Sequence, residues 1–150
     1  MLRAIASDGV VTLCPPGIGD AASLIEGRDD ESRRWLGPES SEPAPTACII
    51  VNGDVVGWVD YDTDREWLQA GEINIGYNVF ADPRRRGYAA RAIELLIEYL
   101  GRTTNYCTAT LLINAENIAS LAVAAKLGCE AHGNIGDSRY FKLPLPRQDG

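Results

Sequence analysis

Apolar and polar residues alternate most regularly from Gly71 to Phe80, where the sequence reads GEINIGYNVF. Successive side chains of a strand point to opposite faces, so this alternation predicts a strand with one polar and one apolar face. From about Ala89 onward the apolar residues recur at the spacing of one helix face, as Ile93, Leu96, Ile97 and Leu100. We therefore expect a strand followed by a helix, with Gly101 as the C-terminal cap of that helix.

Shorter apolar or alternating runs place the other strands. They predict a first strand at Val10–Leu13, a hairpin at 47–61, a strand at 106–113, and two last strands near Ala131 and at 138–145. The dipeptide Asn52-Gly53 favours a type I′ turn, so it is the expected turn of the hairpin.

Three further helices are predicted at 19–26, 29–35 and 118–127. The last of these is apolar nearly all round, so we expect it to be buried, and the Asn117 side chain can cap its first turn. Residues 37–45 are rich in Pro, Ser and Glu, which is typical of a loop.

Three arginines and a glycine occupy the junction between the strand at 71–80 and its helix, in the sequence Arg84-Arg85-Arg86-Gly87-Tyr88-Ala89. The first turn of a helix presents unpaired N–H groups and the positive end of the helix dipole. Gly87 and Ala89 leave the backbone open to close approach, and the guanidinium groups add charge and forked donors. The junction therefore suits a pyrophosphate, although three arginines alone are more typical of a basic turn before a surface helix.

Composition narrows the possible functions. The net charge of the 150 residues is −7, which argues against general nucleic-acid binding and would attract a cationic partner. No apolar run is long enough to span a membrane. The four cysteines (Cys14, Cys48, Cys107 and Cys129) are far apart and form no metal-ligand pair. We expect a cytoplasmic protein of one domain, residues 1–150, without disulfides or a metal, as a monomer or homodimer.

Two motifs, in order along the chain, resemble those of the GNAT-type N-acetyltransferase superfamily. Arg84, Gly87 and Ala89 match its R-x-x-G-x-A form, and Gly76-Tyr77 and Ala92-Ile93 around it are similar to the ribosomal-protein alanine acetyltransferase branch. Asn117-Ile118-Ala119-Ser120 followed by Lys126-Leu127-Gly128-Cys129 resembles the family's N-x-x-S and K-L-G-F. The resemblance covers most of the chain and is clearest from Ala47 to Leu145.

The resemblance implies a fold and an acyl donor. The fold is a single α/β domain with a central mixed, mostly antiparallel sheet, helices on both faces, and a split between the strands at 71–80 and 108–114. The donor is acetyl-CoA, with its pyrophosphate on the backbone N–H groups after Arg84. The residues expected to bind it are Val79, Arg84, Arg85, Arg86, Gly87, Tyr88, Ala89, Ala90, Asn117 and Ser120.

Acetyl transfer from a thioester to an amine needs a base for the amine, donors for the oxyanion and a proton for the leaving thiolate. Glu72 is the candidate base, and an ordinary exposed strand face is an equally weighted alternative for it. In the resembling branch an acid often stands two residues before Gly-Tyr, where this chain has Asn74, which takes no proton at neutral pH. His132, the only histidine, is expected on the surface.

Ser120, a polar residue in the first turn of an otherwise apolar helix, is the candidate donor to the thiolate, because the resemblance to N-x-x-S members implies a Ser near the thiol. The Tyr acid that many members carry is absent, since that position is Ala124 here. The alternative is that Ser120 belongs to the cap of its helix with Asn117. Tyr140 in the last strand is a second candidate acid, although such a Tyr more often packs at the edge of a sheet. The cysteines show no Cys/His arrangement, so we expect direct transfer in a ternary complex rather than an acyl-enzyme.

The sequence thus predicts an acetyl-CoA-dependent N-acetyltransferase that acts on a small-molecule amine or a protein N-terminus. Asn74 and Ala124 favour an alternative, a non-catalytic acyl-CoA-binding or sensor domain. A dinucleotide-binding domain is excluded, because no G-x-G-x-x-G follows an early strand. The sequence does not determine which amine accepts the acyl group, or whether that group is acetyl or longer.

Overall fold

The structure is a computed structural model that describes residues 4–17, 20–28, 34, 45–80 and 87–146. Most of the predicted helix at 29–35 and of the loop at 37–45 lies outside these residues. The same holds for Arg84, Arg85 and Arg86, so the arginine part of the predicted anion site has no structural account.

Within the described residues the chain forms eight strands and three helices. The helices are α1 (Asp20–Glu26), α2 (Tyr88–Thr103) and α3 (Ile118–Leu127). The strands are β1 (Ala6–Ser7), β2 (Thr12–Cys14), β3 (Ala47–Val51), β4 (Asp54–Asp62), β5 (Glu72–Val79), β6 (Thr108–Asn114), β7 (Glu130–Ile135) and β8 (Ser138–Pro144).

The strands form one mixed sheet in the order β1-β2-β3-β4-β5-β6-β8-β7. β5 and β6 run parallel, whereas β6 with β8 and β7 with β8 are antiparallel. The parallel register joins Glu72 to Thr108, Ile73 to Ala109 and Asn74 to Thr110, and over the described strands it extends no further. The predicted α/β class is confirmed, as is the adjacency of the strands between which the split was expected.

The chain groups into two compact units, Met1–Asp60 with Tyr77–Leu96, and Tyr61–Gly76 with Ile97–Gly150. The expectation of a single domain stays a prediction. In the first unit the buried apolar residues include Leu13, Leu24, Ile49, Val59 and Ile93. In the second they include Ile73, Leu100, Leu111, Ile113 and Leu145.

The β3–β4 hairpin of the first unit has the predicted turn. Asn52 has φ 52° and Gly53 has φ 83°, and a type I′ turn needs positive φ at both central residues. Further along β4, Gly57 allows close approach of β5, because a Cβ there would overlap the carbonyl oxygen of Asn78.

The prediction of one first strand at Val10–Leu13 was wrong in its bounds. The chain instead forms a small hairpin, in which Ala6 pairs with Leu13 and Ser7 with Thr12. Its turn is closed by Asp8, whose Oδ1 accepts hydrogen bonds from the N–H groups of Val10 and Val11 at 2.9 and 2.8 Å. A two-residue strand such as β1 is too short to leave an alternation in the sequence.

Gly101 is not the cap of α2, because the helix continues to Thr103. The hydroxyl and N–H groups of Thr104 donate to the carbonyl oxygen of Leu100 at 2.7 and 3.0 Å, which satisfies an acceptor near the helix end. A Cβ at Gly101 would overlap the carbonyl oxygen of Pro146, so glycine is needed here for packing rather than for a left-handed turn.

The prediction that the helix at 118–127 is buried was also wrong. Of the residues of α3, Ala124 alone is buried, and Ile118 is 72% exposed. Alanine favours a helix through its backbone propensity without needing burial, so the apolar composition of this Ala-rich segment overstated its contact with the core. Its ends agree with the sequence, since Asn117 caps it at one end and Gly128, with φ 75°, at the other.

Candidate functional site

The N-terminus of α2 carries the described part of the predicted anion site. Gly87 precedes the helix with φ 76°, a conformation that favours glycine, and Tyr88 is the first helical residue. Ala89 and Ala90 are buried, at 7% and 3% exposure, so small side chains are required at the start of this helix. Val79, the last residue of β5, is also buried.

An ion pair fixes the first turn of α2 to the β1–β2 turn. The Arg91 Nε donates to Asp8 Oδ2 at 2.8 Å. This hydrogen bond, with the bonds from the Val10 and Val11 N–H groups, lowers the pKa of Asp8 to about 2 despite partial desolvation. Sequence reasoning missed this pair, because the partners are 83 positions apart and neither has a local signature.

Glu72, the candidate base, is the most enclosed carboxylate among the described residues of the second unit. It is 6% exposed, so the polar face predicted for this strand is not a solvated one at this position. The Tyr140 hydroxyl and the Gln69 N–H, the latter at 3.0 Å, donate to its Oε1. The Lys142 Nζ lies 2.6 Å from its Oε2. Both oxygens therefore already have protein partners.

The sheet register explains how these groups meet. Asn74 of β5 pairs with Thr110 of β6, which in turn pairs with Lys142 of β8. Residues two apart on a strand share a face, so Glu72, Tyr140 and Lys142 all project from the same side of the sheet, across β6. Gln69 lies in a turn before β5, in which the Glu72 N–H donates to the Gln69 carbonyl at 3.1 Å.

The contacts set opposite protonation states on the two central groups. Burial by itself would raise the pKa of Glu72, but the hydrogen bonds from Lys142, Tyr140 and the Gln69 N–H outweigh it, and the pKa is lowered. Burial and the neighbouring Glu72 carboxylate raise the pKa of Tyr140. At neutral pH Glu72 is therefore a carboxylate and Tyr140 a phenol that donates to it.

Trp67 completes this group from the segment between β4 and β5. Its ring meets the Tyr140 ring edge to face, with the centroids 5.4 Å apart and the planes at 77°. Such a pair adds about 0.5–1.5 kcal/mol beyond the buried area, so it holds Tyr140 in place. We call Glu72, Gln69, Trp67, Tyr140 and Lys142 the Glu72 cluster.

Asn74 and Ser120 have different surroundings. The Thr110 hydroxyl donates to Asn74 Oδ1 at 3.2 Å, across the parallel β5–β6 pair. The Ser120 N–H donates to Asn117 Oδ1 at 3.2 Å, which confirms the predicted cap of α3. Of the predicted catalytic residues, the structure thus joins Glu72 to Tyr140, and Ser120 to the capping residue Asn117. Their catalytic roles stay predictions.

Sequence reasoning missed Lys142, Gln69 and Trp67 as members of the Glu72 cluster. Lys142 and Tyr140 are two residues apart in a strand, but no local pattern indicates that their partner is Glu72, which lies 68 positions before Tyr140. The predicted surface position of His132 is confirmed, since the residue is exposed in β7.

Metal-ligand clusters and membrane-spanning helices are both absent from the described residues. No group of three or more His, Cys, Asp or Glu side chains in these ranges could together hold a metal ion. Likewise, none of the helices in the described part of the chain combines the length and the apolar character that crossing a membrane requires.

Comparison with known protein families identifies the class of protein to which the chain belongs. Residues 21–130, well over half of the chain, match the acetyltransferase (GNAT) domain family. The chain therefore belongs to the GNAT acetyltransferases, and the N-acetyltransferase activity implied by the two motifs is confirmed at the level of the family. No curated protein matches the sequence.

Solved structures share the fold at low sequence identity. RimJ of Mycobacterium smegmatis, in complex with CoA-disulfide, is 19% identical with a TM-score of 0.73 over 95% of this chain and 85% of that one. AAC(6')-Ib, in complex with paromomycin and acetyl-CoA, is 17% identical with a TM-score of 0.76 over 91% and 94%. A ribosomal-protein-serine acetyltransferase described from Vibrio cholerae is 16% identical with a TM-score of 0.70 over 96% and 98%.

Proposed function

We propose that the chain transfers the acetyl group of acetyl-CoA to a primary amine by direct attack within a ternary complex. The family match over residues 21–130 is the observation that carries this proposal. The acceptor is a small-molecule amine or a protein N-terminus, and the protein acts in the cytoplasm as a monomer or homodimer. Complexes of the similar folds with acetyl-CoA or CoA-disulfide support the donor.

The donor pyrophosphate binds, in this proposal, at the start of α2. The positive φ of Gly87 directly before α2 supports this position, because the first N–H groups of a helix have no partner within the helix and attract an anion. Tyr88, Val79 and the arginines at 84–86 contribute to the same site. Asn117 and Ser120 contact the pantetheine end.

The reaction forms a C–N bond between the neutral amine and the thioester carbonyl carbon, and then breaks the C–S bond. The proton that leaves the amine passes to water and one proton reaches the sulfur of CoA, so no other reactant is needed. Ser120 supplies the proton to the thiolate in this scheme. The raised pKa keeps Tyr140 protonated and excludes it as a base at neutral pH, and as the second candidate acid it would first give up its hydrogen bond to Glu72.

Glu72 acts on the amine side of the reaction. Its lowered pKa keeps it ionised, so it can attract an ammonium group and stabilise the positive charge that develops on the attacking nitrogen. Acting as a direct base would require it to give up a contact with Tyr140, Gln69 or Lys142. Asn74 lies next to it on the same strand face and is proposed to orient the amine or a water molecule.

The alternative is an acyl-CoA-binding or sensor domain without catalysis. One specific observation favours it: Ala124, at the position where many members carry a catalytic Tyr, is fully buried in α3. This chain therefore has no phenol at that position. The alternative function shares CoA binding with the proposed function and differs from it only in the absence of turnover.

An assay in which a panel of primary amines is incubated with acetyl-CoA and the purified chain distinguishes the acetyltransferase from the sensor domain. We expect CoA thiol release that depends on both the amine and the enzyme, with an N-acetylated product of matching mass. Binding of CoA by titration calorimetry without thiol release for any amine would favour the sensor. Absence of both would refute the donor assignment.

A further inference from the structure

Lys142 is placed differently from the other lysine of the chain. The sequence has only two, Lys126 and Lys142. Lys126 is exposed in the last turn of α3, whereas the side chain of Lys142 is 18% exposed. Lysine side chains are rarely buried to this degree unless they are paired, so the surroundings of Lys142 indicate what holds it there.

Among the described residues the Lys142 ammonium has three contacts, all within the Glu72 cluster. Its Nζ lies 2.6 Å from Glu72 Oε2 and 3.3 Å from Gln69 Oε1. It also lies 5.2 Å from the centre of the Tyr140 ring, within the range of a cation–π interaction. The one cation thus touches the carboxylate, the aromatic donor to that carboxylate and the turn that leads into β5.

These contacts determine the protonation state of Glu72. A buried carboxylate without an opposite charge takes up a proton, because desolvation disfavours its ionised form. Among the described residues, the titratable groups that contact Glu72 are Tyr140 and Lys142, both from β8, and only Lys142 carries a positive charge. The connecting segment adds the neutral Gln69 N–H, and β6 adds Thr108 as the neutral strand partner.

We infer that Lys142 is a positioning residue of the acetyl transfer, which keeps Glu72 ionised and thereby keeps the Tyr140 hydroxyl pointed at it. This inference rests on the proposed function, because it assigns Lys142 a role through Glu72 rather than a contact with substrate. Without the ammonium, Glu72 accepts a proton at higher pH, and the protonated carboxyl no longer offers Tyr140 a charged acceptor or the substrate a negative charge.

The experiment compares Lys142→Met with Lys142→Arg, and uses Lys126→Met as the matched control. Each protein is assayed for kcat/KM from pH 5.5 to 8.5 with the best amine found in the panel. The Glu72 carboxyl is titrated in parallel by carbon NMR of glutamate-labelled protein, with its signal assigned by its absence in Glu72→Gln. Lys142→Gln, which keeps an N–H donor without the charge, replaces Lys142→Met if the latter does not fold.

We expect the ratio of Lys142→Met to wild-type kcat/KM to fall roughly tenfold between pH 8 and pH 5.5, because protonation of Glu72 removes the active form. The Glu72 titration moves to higher pH in the same variant. Lys142→Arg retains the charge and gives a ratio nearly independent of pH, and Lys126→Met behaves as wild type.

A ratio for Lys142→Met that is lowered equally at every pH, with the Glu72 titration unmoved, would show a merely structural lysine and overturn the inference. The inference also fails if Lys126→Met changes the pH profile as much as Lys142→Met does. If the wild type acetylates no amine, the proposed function fails, whereas the NMR titration still reports whether Lys142 keeps Glu72 ionised.

Discussion

The Tyr140 hydroxyl donates a hydrogen bond to the Glu72 carboxylate, although β6 separates their strands in the sheet. The bond makes a candidate catalytic residue of β5 depend on the last strand of the fold. We expect Tyr140→Phe to destabilise the protein by about 1.5–3 kcal/mol, because it removes a hydrogen bond to a buried charged group while leaving the ring against Trp67. Urea unfolding at pH 7 measures this.

Tyr99→Phe is the control for loss of a phenol hydroxyl. Tyr99 is half-buried in α2, and its substitution is expected to change the free energy of unfolding by less than about 0.5 kcal/mol. Equal effects for the two variants would show that the bond to Glu72 contributes nothing to stability.

The pH dependence of stability should reveal the ionised state of Glu72. Its pKa in the folded protein is lowered, so its contribution is present above the pKa of the unfolded chain and is lost as pH falls through the folded value. The stability advantage of wild type over Glu72→Gln is therefore largest near neutral pH and shrinks toward acid pH. Unfolding of both proteins in urea between pH 7 and pH 3 measures it.

Asp8, with its pKa lowered to about 2, also loses stabilising charge in acid, but it does so in both proteins and cancels in the difference. An advantage of wild type that stays constant or grows toward acid pH contradicts the assignment of Glu72 as an ionised, hydrogen-bonded carboxylate.

Gly101 tests the packing of the C-terminal segment on α2. Replacement of a helical glycine by alanine usually stabilises a helix. Here the new Cβ would overlap the Pro146 carbonyl oxygen, so Gly101→Ala is expected to lower the free energy of unfolding by roughly 1–3 kcal/mol. Thermal and urea unfolding give the value, and a stabilised Gly101→Ala protein would show that residue 146 does not pack there.

Gly87 tests the position of the donor pyrophosphate. Gly87→Asp places an anion at the helix N-terminus, where it competes with the phosphates, and CoA affinity measured by titration calorimetry is expected to fall at least about 100-fold. Gly53→Asp is the matched control, since Gly53 has a similar φ of 83° in the β3–β4 turn with open space around it. Unchanged CoA affinity in a folded Gly87→Asp protein contradicts the site.

Much of the fold was readable from the sequence because long elements leave a periodic pattern. β5, the body of α2 and the Asn52-Gly53 hairpin agree with it, and the Asn117 cap was found from its residue type and position. The failures have separate physical causes. β1 is too short for a pattern, Gly101 is fixed by a contact with a residue 45 positions later, and the alanines of α3 favour a helix whether or not it is buried.

The candidate site likewise has one part that the sequence predicts and one part that it does not. Gly87 and its neighbours belong to one contiguous motif, which sequence can recognise. The Glu72 cluster draws on three segments of the chain, and only the sheet register shows that Tyr140 and Lys142 face Glu72. The alternation of β5 could not predict the burial of Glu72 either. It indicates which residues share a face of the strand, but not what covers that face.

Isotope transfer tests the central claim most directly. The wild-type chain is incubated with acetyl-CoA labelled in its acetyl group and with the best amine of the panel. The masses of the protein and of all products are then measured by mass spectrometry. We predict one labelled N-acetyl amine for each CoA released, and an unchanged mass for the protein with acetyl-CoA alone. CoA binding without any labelled amine product, or a stable labelled acetyl group on a cysteine that the amine removes, would contradict direct transfer.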